Sequence, residues 1–318
     1  MTQPAIPRRL LAVTAHPDDE TFGPGGTLAL YARRGVETYL VCATRGEVGE
    51  APQGLQGYAS IAEMREAELR CASRILGLKQ VHLLGYRDSG MPGSPDNAHP
   101  GCAANAPLEE IALKVAQHIR EIRPQVIITF DPSGGYHHPD HVAVHRATVA
   151  AVRMADDARV QMNGLAPHAV QKMYYHTFPH GWLRAVVRLL GWLGTDPRHF
   201  GKNRDIDLVA IVQDDWPVHA TIPIRPVRHV KEEASRCHAS QGGGMPRGVM
   251  TLMARLLGAN EQFMRGIPAE PPPQMEYDLF EGVVTTGPDL YASAISNRRP
   301  KDGSERALGG GDQGEAGS

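Results

Sequence analysis

Four short apolar runs, at residues 10–15, 37–44, 81–84 and 126–130, are separated by longer stretches whose apolar positions recur at helical spacing. A short apolar run bounded by turn residues predicts a buried strand, and the longer periodic stretches predict helices. Those helices fall at 23–35, 61–76, 108–122 and 140–154; Gly35 and Gly77 end the first two and Pro124 stops the third. Regular alternation of strand and helix predicts right-handed βαβ units, and so a Rossmann-like α/β fold, a mostly parallel sheet with helices on both faces and C-terminal elaborations. The second half is less regular. Residues 170–177 and 208–212 predict strands, and 182–193, 230–241 and 249–257 predict helices. Two of these, 182–193 and 249–257, are apolar with interspersed arginines and are expected to bury one face on the sheet. A pocket wall or a contact in a homo-oligomer are their other uses. Residues 91–105 concentrate Pro, Gly, Asn and Asp and predict a loop over the strand ends. From about residue 297 the chain is polar and Gly-rich without apolar period, so the expected organisation is one domain at 1–296 and a disordered tail at 297–318.

Composition narrows the partners. With 42% hydrophobic residues in 318, a sizeable core is expected, and a formal net charge of −2 gives no reason to invoke nucleic acid. No apolar run reaches the ~18 residues of a membrane span, and residues 1–9 form a short polar arm rather than a secretory leader. The four cysteines, Cys42, Cys71, Cys102 and Cys237, are scattered and form no CxxC pair. That pattern points to a reducing cytoplasm and away from a cysteine zinc site.

The chemistry sits where two of the strands end. Strand 10–15 runs directly into His16-Pro17-Asp18-Asp19-Glu20, and strand 126–130 is followed by Tyr136-His137-His138-Pro139-Asp140-His141. In open parallel sheets the carboxyl ends of strands carry the site, so the two clusters can meet. His16, Asp19 and His141 make two imidazoles and one carboxylate, a normal zinc set with a position left for water. Ferrous iron tolerates the same ligands. Asp18 is left over beside a ligand and suits a general base. Glu20 reads as a cap or a partner of a ligand. His138 can face the same cavity as a proton donor, with Asp140 holding its ring and raising its pKa, and Tyr136 offers a phenol beside it. Gly23-x-Gly25 invites a dinucleotide reading, which fails because Leu28 stands at the third glycine and the turn before it is acidic.

These clusters resemble those of the LmbE-like (PIG-L) family of zinc-dependent N-acetyl sugar deacetylases. Residues 15–20 match its first motif and 138–141 its second, while Tyr86-Arg87-Asp88-Ser89-Gly90-Met91 looks like a segment of the mycothiol-pathway branch. The likeness spans roughly residues 10–241 and includes the order of the motifs. It implies removal of acetate from an N-acetylglucosamine-type small molecule by metal-activated water. It gives no ligand role to His145 and no fixed histidine at His137, which is expected to be exposed. Arg65 looks like the family's arginine-bearing helix start. With Asp88, and with Glu47 at the neighbouring strand end, it is expected to reach the sugar hydroxyls. An Arg65–Asp88 salt bridge tying helix to loop is the plainer alternative. Residues 238–241 resemble a late family segment without an assigned role. An amidase on larger thiol conjugates, a nucleotide-binding module and a closed metal-binding regulator stay open beside the deacetylase.

Overall fold

The central strand is β1 (Arg9–Thr14), which pairs in parallel with β2 (Glu37–Thr44) on one side and β4 (Val126–Phe130) on the other. In the computed structural model, described over residues 6–177, 180–192, 194–199, 207–243 and 260–285, β3 (Gln80–Tyr86) extends the sheet beyond β2 and β5 (Lys172–Thr177) beyond β4. These five strands are parallel. Beyond β5, β7 (Asn260–Ile267) runs antiparallel to it, and β6 (Ala220–Pro223) closes that edge antiparallel to β7. The order β3-β2-β1-β4-β5-β7-β6 reverses direction between β1 and β4. A crevice opens at the carboxyl ends of the strands where the order reverses, and this one lies between the two His-Pro-Asp clusters.

Residues 7–284 form one compact unit. The second unit, 1–6 with 285–318, lies almost wholly outside the described residues, as does the expected tail. Strand alternation sorts the core into two layers. Leu10 and Ala12 of β1 pack with Leu28, Leu40, Leu69 and Phe263 on one face. Leu11 and Val13 pack with Val41, Ile111, Val115 and Val144 on the other. Helices α2 (Gly25–Arg33), α3 (Ile61–Leu76) and α9 (Arg228–Cys237) cover the first face; α4 (Leu108–Ile122) and α6 (Pro139–Asp156) cover the second, with the short α5 (Gly134–His137) leading into α6. The expected parallel α/β sheet with helices on both faces is the observed one.

Several elements depart from expectation. The helix expected at 23–35 is α2, and an unexpected short helix, α1 (Asp19–Phe22), precedes it, separated from it at Gly23–Pro24. Proline has no N–H to continue α1. The first turn of α2 is capped from β7: Glu261 accepts from Gly26 N at 2.9 Å and Thr27 N at 2.7 Å. Residues 208–212, expected as a strand, begin the short helix α8 (Leu208–Ile211). Asp207 Oδ1 accepts from Val209 N and Ala210 N, and that cap selects the helix over the apolar run's strand propensity. The helix expected at 182–193 is α7 (His180–Trp192), but Leu189 and Trp192 of its apolar set are exposed, at 53% and 83%, rather than buried. The helix expected at 249–257 lies outside the described residues. β6 and β7 carry no clean alternation, and the sequence does not announce them.

Candidate metal centre and active site

The end of β1 turns sharply into α1. Asp18 holds a φ of 132°, a conformation L-residues rarely adopt, and its backbone N–H donates to Glu20 Oε2 at 3.0 Å. The turn places His16 and Asp19 side by side. His141 arrives from the first turn of α6, which starts at Pro139 with His138 as its N-cap.

Three side chains converge. His16 Nδ1 lies 3.2 Å from His141 Nε2, His141 Nε2 lies 3.3 Å from Asp19 Oδ1, and His16 Nδ1 lies 3.5 Å from Asp19 Oδ2. Four-coordinate zinc with ligands at ~2.0–2.1 Å has ligand-to-ligand edges of roughly 3.3–3.4 Å, so these residues fit such an ion. Both imidazoles are held in the tautomer that leaves the facing nitrogen bare. His16 Nε2 is 3.1 Å from Asp140 Oδ2, and His141 Nδ1 is 3.0 Å from Gly134 O, so each ring donates its N–H outward. Asp19 Oδ2 is spent on the N–H groups of Ala15 and His16, which leaves Oδ1 for an ion. His16, His138 and His141 also form a buried group within ligating distance of one another, as do His16, Asp88, His138 and Asp140. The second group meets the Nε2 side of His16, where two carboxylates occupy the ring's proton rather than a shared ion.

Asp140 differs from expectation. Its carboxylate does not hold the His138 ring; it holds His16 and accepts from Ser89 N at 2.8 Å, Ala104 N at 2.9 Å and the Ser89 hydroxyl. A residue inside the first turn of α6 points back across the strand ends, away from the N-cap. His138 Nδ1 instead accepts from Asp140 N at 3.2 Å, which puts the neutral ring's proton on Nε2. Nor is the His138 pKa raised: burial and the adjacent His16 and His141 push it down to about 3. Ser89 and Ala104, silent in the sequence as site residues, are the groups that fix Asp140.

Asp18 is pushed up to about 6 by burial, against the pull of the Arg65 guanidinium. Arg65, 4% exposed, donates to Asp18 Oδ2 at 3.0 Å, Pro17 O at 2.6 Å and Gly46 O at 3.2 Å. Its Nη1 stands 3.8 Å from Asp88 Oδ2, so the guanidinium serves Asp18 first. Asp88 is equally buried, 3.4 Å from His16 Nε2. Arg65 and Asp88 therefore stand behind the ligands, not on the pocket wall. Glu47 is half-buried and accepts from Asp88 N. Tyr136 sets its ring 4.9 Å from that of His141 and 5.9 Å from that of His138. His137 turns outward to Asp214 at 2.6 Å, and His145 Nδ1 is bonded to Phe130 O. Glu20 and His238, both fully buried, meet at 2.7 Å, so the late segment reaches the turn that carries Asp18. A pocket of about 140 Å³ opens beside the ligands, lined by Asp18, Asp19, Tyr136, Phe22, Phe130 and His176.

The chain also resembles known proteins. Residues 11–152 match the family described as PIG-L, GlcNAc-PI de-N-acetylase. The chain is 36% identical over 313 residues to 1D-myo-inositol 2-acetamido-2-deoxy-alpha-D-glucopyranoside deacetylase of Streptomyces griseus subsp. griseus, covering 93% of this chain and 96% of that protein. Among solved structures, the conserved protein TT1542 from Thermus thermophilus aligns with a TM-score of 0.55 and 28% identity, covering 83% of this chain and 97% of that one. N,N'-diacetylchitobiose deacetylase from Pyrococcus horikoshii aligns with a TM-score of 0.56 over 85% of this chain and 87% of that one; at 21% identity it speaks for the fold alone. Near-complete coverage at this identity, together with the family match over residues 11–152, makes the chain a member of the PIG-L family.

Proposed function

We propose that the protein is a metal-dependent amide hydrolase that removes acetate from an N-acetylglucosaminide, with 1D-myo-inositol 2-acetamido-2-deoxy-alpha-D-glucopyranoside as the first substrate to test. The observation that carries this reading is the convergence of His16 Nδ1 and His141 Nε2, 3.2 Å apart, on the Asp19 carboxylate, with the carboxyl group of Asp18 beside them. The near full-length likeness to a deacetylase of that glycoside supports the choice of substrate.

His16, Asp19 and His141 would hold the ion, zinc in our reading. A bound divalent metal supplies Lewis acidity, lowering the pKa of a water and polarising the amide carbonyl. The remaining work belongs to the chain. Asp18, titrating at about 6, is ionised at neutral pH and takes the proton of the attacking water. It then returns that proton to the amine nitrogen as the C–N bond breaks and acetate leaves. His138 stays neutral and presents Nε2–H to the oxyanion as a hydrogen-bond donor, not as an acid. The Tyr136 phenol, its pKa raised by burial, keeps its proton and is the second donor. Glu47, the accessible carboxylate of its group, faces the sugar hydroxyls, while Asp88 steadies His16 from behind. Asp140 orients His16 and Arg65 orients Asp18. No helix among the described residues is long and apolar enough to cross a membrane, and we take the enzyme to work in the cytoplasm on a soluble glycoside.

The test is acetate release from that glycoside by the zinc-loaded protein. Turnover lost on chelation and restored by zinc supports the reading. A zinc-loaded, folded protein that leaves this glycoside and simpler N-acetylglucosaminides intact overturns it.

A further inference from the structure

A disulfide lies next to the site without belonging to it. Cys71 on α3 and Cys237 at the end of α9, separated by 166 residues in the chain, are bonded with Cα atoms 5.8 Å apart. Scattered in the sequence, the cysteines suggest free thiols; the fold brings two of them together. One end of this cross-link adjoins a residue that holds the Asp18 turn, and the other lies on the helix that carries a second such residue. His238 follows Cys237 directly, and its partner Glu20 accepts the Asp18 backbone N–H. Arg65, which donates to Asp18 Oδ2, precedes Cys71 on the same helix. Ser240, three residues past Cys237, bonds Glu68 of α3 through its Oγ at 2.7 Å, so the end of α9 is fastened to α3 on both sides of His238.

Cys237 also faces solvent space. It lines a cleft of about 170 Å³ whose walls include Gln53, Gln56, Tyr58, Glu68 and Ser240. A concave cleft of that size, lined by polar and apolar side chains alike, admits a small molecule rather than the surface of another protein. The free cysteines, Cys42 and Cys102, are buried elsewhere.

We propose that Cys71–Cys237 is an exchange site for low-molecular-weight thiols, and that opening it slackens the Asp18 turn and slows the enzyme. The thiolate of the small thiol attacks Cys237 Sγ; the S–S bond breaks and Cys71 leaves as a thiolate, giving a mixed disulfide at Cys237. A second small thiolate attacks the small-molecule sulfur of that adduct and releases Cys237 as a thiolate. The small disulfide departs, two electrons have passed from two small thiols to the cysteine pair, and each cysteine takes up the proton that one of those thiols lost.

The exchange is independent of the proposed reaction, whereas the effect on rate rests on it. The zinc-loaded, full-length enzyme is incubated with excess cysteine or glutathione and followed by intact mass, thiol titration without denaturant, metal content, kcat and amide hydrogen exchange over residues 18–22. The expected result is an adduct at Cys237, then new thiols at Cys71 and Cys237 alone. With metal retained, kcat falls about three- to tenfold, because a small displacement of a catalytic group is costly, and exchange at 18–22 quickens; reoxidation restores both. Cys71→Ser and Cys237→Ser each hold the lowered kcat and no longer answer to reduction. A pair that stays bonded in excess thiol overturns the proposal, and so does a pair that opens while exchange at 18–22 is unchanged. If neither redox form releases acetate, the hydrolase reading fails, and mass and hydrogen exchange still decide the thiol site.

Discussion

At the scale of single residues, the site is a set of rings and carboxylates whose protons are placed by their neighbours. Asp140 fixes the His16 tautomer through Nε2, so Asp140→Asn should weaken zinc binding by about 10–100-fold, the usual cost of losing such a partner; competition with a chelator measures it. Asp18 must be ionised to act, and its pKa is raised to about 6, so kcat/KM should climb as pH rises through that value or, with the metal's charge nearby, somewhat below it. The Arg65 guanidinium opposes that rise, so Arg65→Ala should move the acid limb to higher pH. His138→Ala should lower kcat by about 10²–10³, as loss of an oxyanion donor does. It should leave the alkaline limb in place, because a group titrating near 3 contributes nothing there. A displaced alkaline limb would return His138 to the role of acid. The proposed ligands are legible in the sequence because each sits at a fixed offset from a strand end. Ser89, Ala104 and the true partner of Asp140 are not, because backbone donors and residues distant in the chain leave no spacing to read.

At the scale of elements, the strand-to-helix turns do the positioning. α3 delivers Arg65, and its start is fixed twice: Ser60 Oγ accepts from Glu63 N at 3.2 Å, and Glu63 Oε2 accepts from Ala59 N at 2.7 Å. Ser60→Ala should cost about 1 kcal/mol, seen as a lower melting temperature with metal content unchanged. The parallel strands and their crossover helices could be read from the sequence because apolar period and glycine or proline stops coincide there, as at Gly77, whose φ of 79° closes α3. α8 could not, since four apolar residues carry no period and the Asp207 cap decides. β6 and β7 pair antiparallel at the sheet edge, where only Ala220 and Ile222 of the short β6 are buried. Their alternation is too brief to stand out.

For the molecule as a whole, buried neutral histidines tie stability to pH. His168 and His176 are both pushed down to about 4 by burial. In the unfolded chain they titrate near 6.5, so the unfolded state binds the extra protons below that value. The stability they contribute is complete above about 6.5 and is lost as pH falls toward 4. Melting temperatures recorded between pH 7 and 4 should drop over that window, and the drop should be smaller in His168→Gln. Removing residues 297–318, polar and Gly-rich, should leave both melting temperature and kcat unchanged; a drop of several degrees would mean that this segment docks. The central claim is that one metal, held by His16, Asp19 and His141, works with Asp18 as a base that is not a ligand. The most direct test measures zinc content and acetate release side by side in His141→Ala and Asp18→Asn. The account predicts that His141→Ala loses metal and activity together, while Asp18→Asn keeps full zinc and loses about 10²–10⁴ in kcat. An Asp18→Asn protein without zinc, or with near-normal turnover, would contradict it.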